Sequence, residues 1–367
     1  MDENKAFLTE QIITYLGNKR SLLDFIGNAV ELVKKELNKD KLITFDVFSG
    51  SGIVARYLKQ YSSELYVNDF EDYSKTINKC YLTNKNDIDL EKLNYWYDFL
   101  KENLSDDKLK SGFISKLYSP KDDKNIQEGE RVFYTSRNAK YIDTARNLIE
   151  EIPQPYKTLF LGPLLYEAST KNNTSGVFKG FYKNSETKRG QFGGNGKNAL
   201  NRILSNIEIK KPVLSNFECI THIYQGDSNT ICKEVPSIDL AYLDPPYNQH
   251  PYSSNYFMLN LINNNKKPTE ISKVSGIPVG WNKSNYNKKD LALSSLKDLC
   301  ENLNAKYILI SFNSEGFIKY EEMVNMLKEL GNVQTFDTKY NVFRGCRNLC
   351  ERDIYVYEYL FLLCKGC

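Results

Sequence analysis

Leu42-Ile43-Thr44-Phe45-Asp46-Val47-Phe48-Ser49-Gly50-Ser51-Gly52 decides the fold. A largely apolar run stops at a Gly-x-Gly turn, and Ile53–Gln60 continues as a helix start. This reads as buried strand, tight turn and helix. The glycines permit tight backbone geometry and close approach of a ligand. The helix start offers unpaired N–H groups and partial positive charge, which suit a carboxylate or a phosphate. The dinucleotide fingerprint G-x-G-x-x-G fails, because position 55 is Ala; that counts against NAD and FAD.

Working outward, Glu64–Val67 reads as a second strand ending at Asn68-Asp69. Further strands are expected at Ile223-Tyr224 before Gly226-Asp227, at Ile238–Leu243 before Asp244, at Tyr307–Phe312, at Val333–Tyr340 and at Ile354–Leu363. Strands that alternate with helices predict an α/β fold with a mostly parallel sheet. The last two have a short connection, so they are expected to pair antiparallel. Asp69 and Asp227 then lie along the carboxyl edge of the sheet, where α/β folds bind ligands. Asp69 suits a pair of ribose hydroxyls, or equally a plain helix cap or turn.

About 150 residues separate the second strand from the third, too many for a loop in a compact domain. Arg137–Glu151 and Tyr156–Thr170 read as amphipathic helices, and Asn86–Ser105 as a polar stretch. The division expected is residues 1–74 with 217–367 as one domain and 75–216 as an inserted, mainly helical one. Pro268–Asn287 reads as a long ordered loop.

The chain of 367 residues is 41% apolar and 26% charged, as in soluble enzymes, which excludes wholesale disorder and disulfide mini-scaffolds. The apolar run near Tyr355–Cys364 is broken by Glu358 and is too short to span a bilayer. No basic-then-apolar leader opens the sequence. The expectation is a cytoplasmic protein with no membrane partner. Eight cysteines without secretory context are expected to be reduced thiols. Cys346-x3-Cys350 with Cys364-x2-Cys367 is a weak zinc pattern in an Arg-rich setting, so no metal is expected.

Asp244-Pro245-Pro246-Tyr247 follows the strand Ile238–Leu243. Two prolines fix φ and remove two N–H donors. The segment must leave the sheet edge as a rigid extended turn. The Asp244 carboxylate, the Pro245 carbonyl and the Tyr247 ring then face one cavity. Two acceptors and an aromatic plate form a receptor for a planar group bearing an NH2.

With Phe48-Ser49-Gly50-Ser51-Gly52 upstream, Asp244-Pro245-Pro246-Tyr247 resembles the S-adenosylmethionine-dependent DNA adenine-N6 methyltransferases, and more closely their D12, Dam-like (alpha) branch. Tyr15-Leu16-Gly17-Asn18-Lys19 matches that branch's aromatic-x-Gly-x-Lys motif, with Tyr15 where Trp is common. The insert also stands where that branch carries its target-recognition domain. The resemblance implies a Rossmann-like methyltransferase sheet and S-adenosylmethionine as cofactor. It implies cofactor contacts from Tyr15, Lys19, Phe48, Gly50, Gly52, Asp69, Asp227 and Asp244, and catalysis by Asp244, Pro245 and Tyr247. The implied substrate is an adenine flipped out of duplex DNA. A role in restriction-modification, with a separately encoded endonuclease as partner, rests on family analogy.

Overall, Lys+Arg exceed Asp+Glu by only three, 49 against 46. Lys171–Lys211, however, holds nine basic residues against two acids, interleaved with Phe178, Phe181, Tyr182 and Phe192. That is the footprint of a phosphate-contacting surface, and Lys179, Lys183, Arg189 and Lys197 are its candidates. Arg344 and Arg347, between the last two strands, are further candidates for DNA contact. Two alternatives stand beside this reading: an RNA adenine or guanine N-methyltransferase using the same motif, and a nucleic-acid-binding module without activity.

Overall fold

The computed structural model describes residues 2–197, 199–341 and 355–366. These form two compact units. One comprises Lys19–Glu71, Phe217–Pro251 and Asn282–Cys367; the other comprises Met1–Asn18, Asp72–Asn216 and Tyr252–Trp281.

The first unit is built on a seven-stranded sheet. Its strands are β1 (Leu42–Asp46), β2 (Ser62–Val67), β3 (Ile220–Ile223), β4 (Ile238–Leu243), β5 (Ala305–Asn313), β6 (Gly331–Asn341) and β7 (Tyr355–Lys365). Their order is β3-β2-β1-β4-β5-β7-β6. β1 pairs parallel with β2 and β4, β2 with β3, and β4 with β5. β7 runs antiparallel to both β5 and β6. The expected mixed sheet is present, with one addition: β7 inserts between β5 and β6.

Burial explains the register. Every residue of β4 is buried, as a central strand covered on both faces requires. Its one acid, Asp239, is held by Lys39 at 2.8 Å and by the backbone N–H of Ile43 at 3.0 Å. In β7, Val356, Glu358 and Leu360 turn inward while Tyr355 and Tyr357 face out, the two-residue period of a strand. The helix Leu23–Leu37 buries Leu23, Ile26, Ala29, Val30 and Val33 and ends at Asn38 in the left-handed conformation.

The second unit is mainly helical. Its core gathers residues from the helices Asp72–Tyr81, Leu90–Asn103, Phe113–Tyr118, Ser136–Glu150, Tyr156–Thr170 and Phe257–Asn264. Tyr156–Thr170 is not amphipathic as expected: Leu159, Phe160, Leu161, Leu164, Leu165 and Ala168 are buried around its circumference, so it is the central helix. The polar stretch 86–105 is mostly the helix Leu90–Asn103, capped by the Asp89 side chain.

The compact units share the expected boundary at 216/217 and differ from the expected division over residues 1–18, 72–74 and 252–281. Residues 1–18 and 252–281 pack with the helical unit. The reason is apolar burial: Phe7, Ile13, Phe257, Met258, Leu259 and Ile262 all enter the helical core. The block 268–287 is divided as well. Its first part is tied into the helical unit where Tyr118 Oη donates to the Gly276 carbonyl at 2.7 Å. Its end belongs to the sheet unit, where Tyr286 is buried. Cys80, Cys219, Cys232 and Cys300 are buried thiols. Cys364, on the half-exposed end of β7, is disulfide-bonded, against the expectation of reduced thiols. Among the described residues, no helix is long and apolar enough to cross a membrane.

Candidate functional site

The ends of the five parallel strands, β1 to β5, lie on the carboxyl edge of the sheet unit. After β1 the chain turns through Gly50 (φ 50°) and Gly52 (φ 76°). Both lie in the left-handed region that favours glycine, so this turn needs both. The Gly50 N–H donates to Asp69 Oδ2 at 2.7 Å, and the Glu71 N–H donates to Asp69 Oδ1 at 2.9 Å. Asp69 therefore stitches the end of β2 to the glycine turn. Asn68 extends the stitch, donating to the carbonyls of Val47 and Gly226, each at 3.2 Å. Asp227 caps the short helix Ser228–Ile231 by accepting from the Asn229 N–H at 3.0 Å, and its residue is exposed. The Phe48 ring meets Tyr286 edge-on at 5.1 Å.

Asp46, at the end of β1, stands out in the sequence only as part of the strand. It is fully buried, and neither carboxyl oxygen has a hydrogen-bond partner. Burial raises its pKa well above the carboxylate range, and the charges of Asp244 and Asp69 raise it further. The amides of Ala55 and Phe48 oppose the shift without reaching hydrogen-bond geometry. Asp46 is a buried acid whose oxygens have no donor, an arrangement that is costly unless a partner is supplied.

The densest electrostatics surround Asp244. Its side chain is 18% exposed, and Lys19 Nζ stands 3.2 Å from Oδ1. The same ammonium lies 2.9 Å from Glu358 Oε1, whose side chain is wholly buried. The Ser311 hydroxyl donates to Glu358 Oε1. Burial pushes Asp244 up to about 6; Lys19 resists the shift and Glu358 adds to it. For Lys19, burial opposes the charge, but Asp244 and Glu358 outweigh it and hold the ammonium well above its ordinary value. The Tyr247 ring centroid is 5.9 Å from Lys19 Nζ, and the ring packs edge-on to Phe312 at 6.2 Å. Burial raises the Tyr247 phenol, and Lys19 counteracts it. The Tyr247 carbonyl accepts from the Phe317 N–H at 3.1 Å, which fixes the backbone after the two prolines. Pro245 is buried beside Asp244.

Of the expected site residues, Lys19, Phe48, Gly50, Gly52, Asp69, Asp227, Asp244, Pro245 and Tyr247 share the sheet unit. Tyr15 belongs to the helical unit, where its ring stacks on Tyr252 at 4.9 Å and on Tyr256 at 4.7 Å. Sequence reasoning misses Glu358 as a site residue. Its signal is a lone acid at an inward position of an apolar strand.

In the helical unit, Lys179, Lys183, Arg189 and Lys197 are all exposed. Lys183 and Gly190 form an isolated antiparallel bridge across a loop. Asn184 Oδ1 closes the tip of that loop by accepting from the N–H groups of Glu186 and Thr187. Several of the counted cations are structural braces. Arg202 donates to the carbonyls of Thr170 and Asn172, and Lys210 pairs with Glu167 at 2.8 Å. Phe178 is buried among Phe133, Tyr134 and Phe257, and Phe181 packs on Phe133 at 5.2 Å. These two rings anchor the loop to the core. Arg344 and Arg347 lie outside the described residues. Among the described residues, no group of three or more His, Cys, Asp or Glu is placed to hold a metal ion.

A mostly parallel sheet with an antiparallel end, a glycine turn after β1 and Asp-Pro-Pro-Tyr after β4 define the α/β methyltransferase class. The family model "D12 class N6 adenine-specific DNA methyltransferase" matches residues 15–326, and the chain belongs to that family. It is 28% identical over 360 residues to the type II methyltransferase M.CviAII of Paramecium bursaria Chlorella virus 1, covering 96% of this chain and 98% of that protein. It is 28% identical over 363 residues to M.NlaIII of Neisseria lactamica, covering 96% and 99%. It is 27% identical over 365 residues to the modification methylase StsI of Streptococcus sanguinis, covering 95% of this chain. The chain spans about half the length of StsI.

Proposed function

We propose that this chain is the modification methylase of a restriction-modification system, transferring a methyl group from S-adenosylmethionine to N6 of an adenine flipped out of duplex DNA. The single observation that carries this is the Asp244 carboxylate, held by Lys19 beside the Tyr247 ring in a chain of this family.

The site fits the cofactor by its chemistry. An ammonium, ribose hydroxyls and an adenine amine are hydrogen-bond donors, and the sheet edge offers acceptors. Asp46 is a buried acid without a partner, and Asp69 and Asp227 stand at strand ends. Phe48, Gly50 and Gly52 shape the turn, and Tyr15 and Lys19 are proposed to complete the cofactor contacts. S-adenosylmethionine, when bound, supplies a methyl group activated on a sulfonium.

The residues of the chain do the rest. The lone pair of N6 is delocalised into the purine ring. Hydrogen bonds from N6 to Asp244 and to the Pro245 carbonyl favour a pyramidal nitrogen with a usable lone pair. Asp244 stabilises the positive charge that develops on N6 and takes the proton that leaves it. Holding both reactants in line is the largest lever, worth roughly 7–11 kcal/mol in well-oriented intramolecular reactions. Flipping the base costs a few kcal/mol, and stacking on Tyr247 returns ~1–3 kcal/mol. Lys179, Lys183, Arg189 and Lys197 are proposed phosphate contacts, as are Arg344 and Arg347.

The test is methyl transfer from labelled S-adenosylmethionine to duplex DNA and, separately, to structured RNA. N6-methyladenine should appear in DNA only, and Asp244→Ala should abolish it while DNA binding persists. Label in RNA alone, or near-normal turnover by Asp244→Ala, would refute the reading.

A further inference from the structure

We infer that Glu358 is a positioning residue for methyl transfer: its buried carboxylate shares the Lys19 ammonium with Asp244 and so keeps Asp244 a strong hydrogen-bond acceptor. This rests on the functional reading above.

The argument starts from burial. Glu358 sits at a fully buried position on β7, between the apolar Val356 and Leu360 on the same face. A side chain there with only a packing role would be apolar, because burying a charge is costly unless it is paired and hydrogen-bonded. Glu358 is both: Lys19 Nζ lies 2.9 Å from Oε1 and the Ser311 hydroxyl donates to that oxygen. Lys19 then has a second carboxylate, Asp244, at 3.2 Å.

The stoichiometry matters. One ammonium against one buried carboxylate makes a neutral pair whose carboxylate is largely quenched. One ammonium against two carboxylates leaves a net negative charge where the amine of a substrate must become positive. The charged and titratable groups facing Asp244 are Lys19, Glu358 from β7, Tyr242 from β4, Tyr247 from the turn and Asp46 from β1. Burial raises Asp46 and both phenols, and Glu358 is the carboxylate of this set that shares the Lys19 ammonium with Asp244. Its effect on Asp244 is to raise the carboxyl, in the same direction as burial and against Lys19.

The experiment is the pH profile of kcat/KM for methylation of duplex DNA by the full chain between pH 5 and 9. Wild type should lose activity on the acid side near pH 6, as Asp244 takes a proton. Glu358→Gln keeps the shape and removes the charge. Its acid limb should move to lower pH by about one unit, because a like charge has gone. Its kcat at pH 8 should fall several-fold, because Asp244 becomes a weaker acceptor. Glu358→Asp keeps the charge, so its limb should stay at the wild-type position and its kcat should recover toward wild type. An unmoved limb in Glu358→Gln, or an equal shift in both variants, overturns the inference. Should the Gln variant not fold, Glu358→Leu, which suits the apolar face shared with Val356 and Leu360, takes its place. Its limb must also move to lower pH with kcat reduced, and an unmoved limb overturns the inference. A wild-type chain that transfers no methyl to DNA refutes the functional reading itself, and this inference with it.

Discussion

Replacing Asp244 with Asn should stabilise the protein while destroying its activity. The folded chain raises this carboxyl from 3.8 to about 6, chiefly through burial. The shift already includes the attraction of Lys19. At ~1.36 kcal/mol per pKa unit, the charged form is disfavoured by about 3 kcal/mol relative to an exposed aspartate. Because the folded pKa lies above the unfolded one, the native state binds more protons between the two values, and stability falls as pH rises through that window. The cost is absent below pH 4, grows between pH 4 and 6, and is constant above. Asn resembles the neutral acid at every pH. Asp244→Asn should therefore match wild type near pH 4 and exceed it by up to about 3 kcal/mol at pH 7 and above. Urea unfolding of both proteins from pH 4 to 8 measures this directly. With two compact units, two transitions are expected, and the difference belongs to the one that carries the sheet. A difference that does not vary with pH, or an Asn variant less stable than wild type at pH 7, would show that Asp244 is not held against its own charge.

Two further outcomes are expected. Tyr247→Ala should lower kcat/KM by roughly 5- to 150-fold, the equivalent of ~1–3 kcal/mol of stacking, while Tyr247→Phe should stay within a few-fold of wild type; equal losses would show that the hydroxyl, not the ring, matters. Changing Lys183, Arg189 and Lys197 together to Ala should weaken duplex binding and reduce the slope of log K against log salt by about 0.9 for each phosphate left without its cation, with kcat on saturating DNA unchanged; an unaltered slope would place the DNA elsewhere.

Much of the sheet was legible because its strands are short apolar runs ending in punctuation. β4 carries the bounds read from the sequence, and β1 stops at Asp46, two residues short of Leu42–Phe48, the run before the glycine turn that reads as strand. Asp244 and Lys19 were legible because they stand in motifs. Three features were not, and for one physical reason: each depends on what a residue meets across the fold. Phe178 and Phe181 look like base-stacking aromatics in a basic segment, yet they are consumed by the core. The apolar content of 257–262 marks a buried helix, but not which core receives it. Glu358 is visible as a break in an apolar strand, and only its distance to Lys19 gives the break a meaning.

The place of β7 sets a timetable for synthesis. β6 leaves the ribosome first, but it has no ladder to join until β7 has entered beside β5. Lys19, made near the start, waits for Glu358 on that same strand. Pairings this distant in sequence form late and slowly. If Glu358 positions Asp244 as inferred above, a nascent chain already carrying Asp-Pro-Pro-Tyr lacks its full site until β7 has docked.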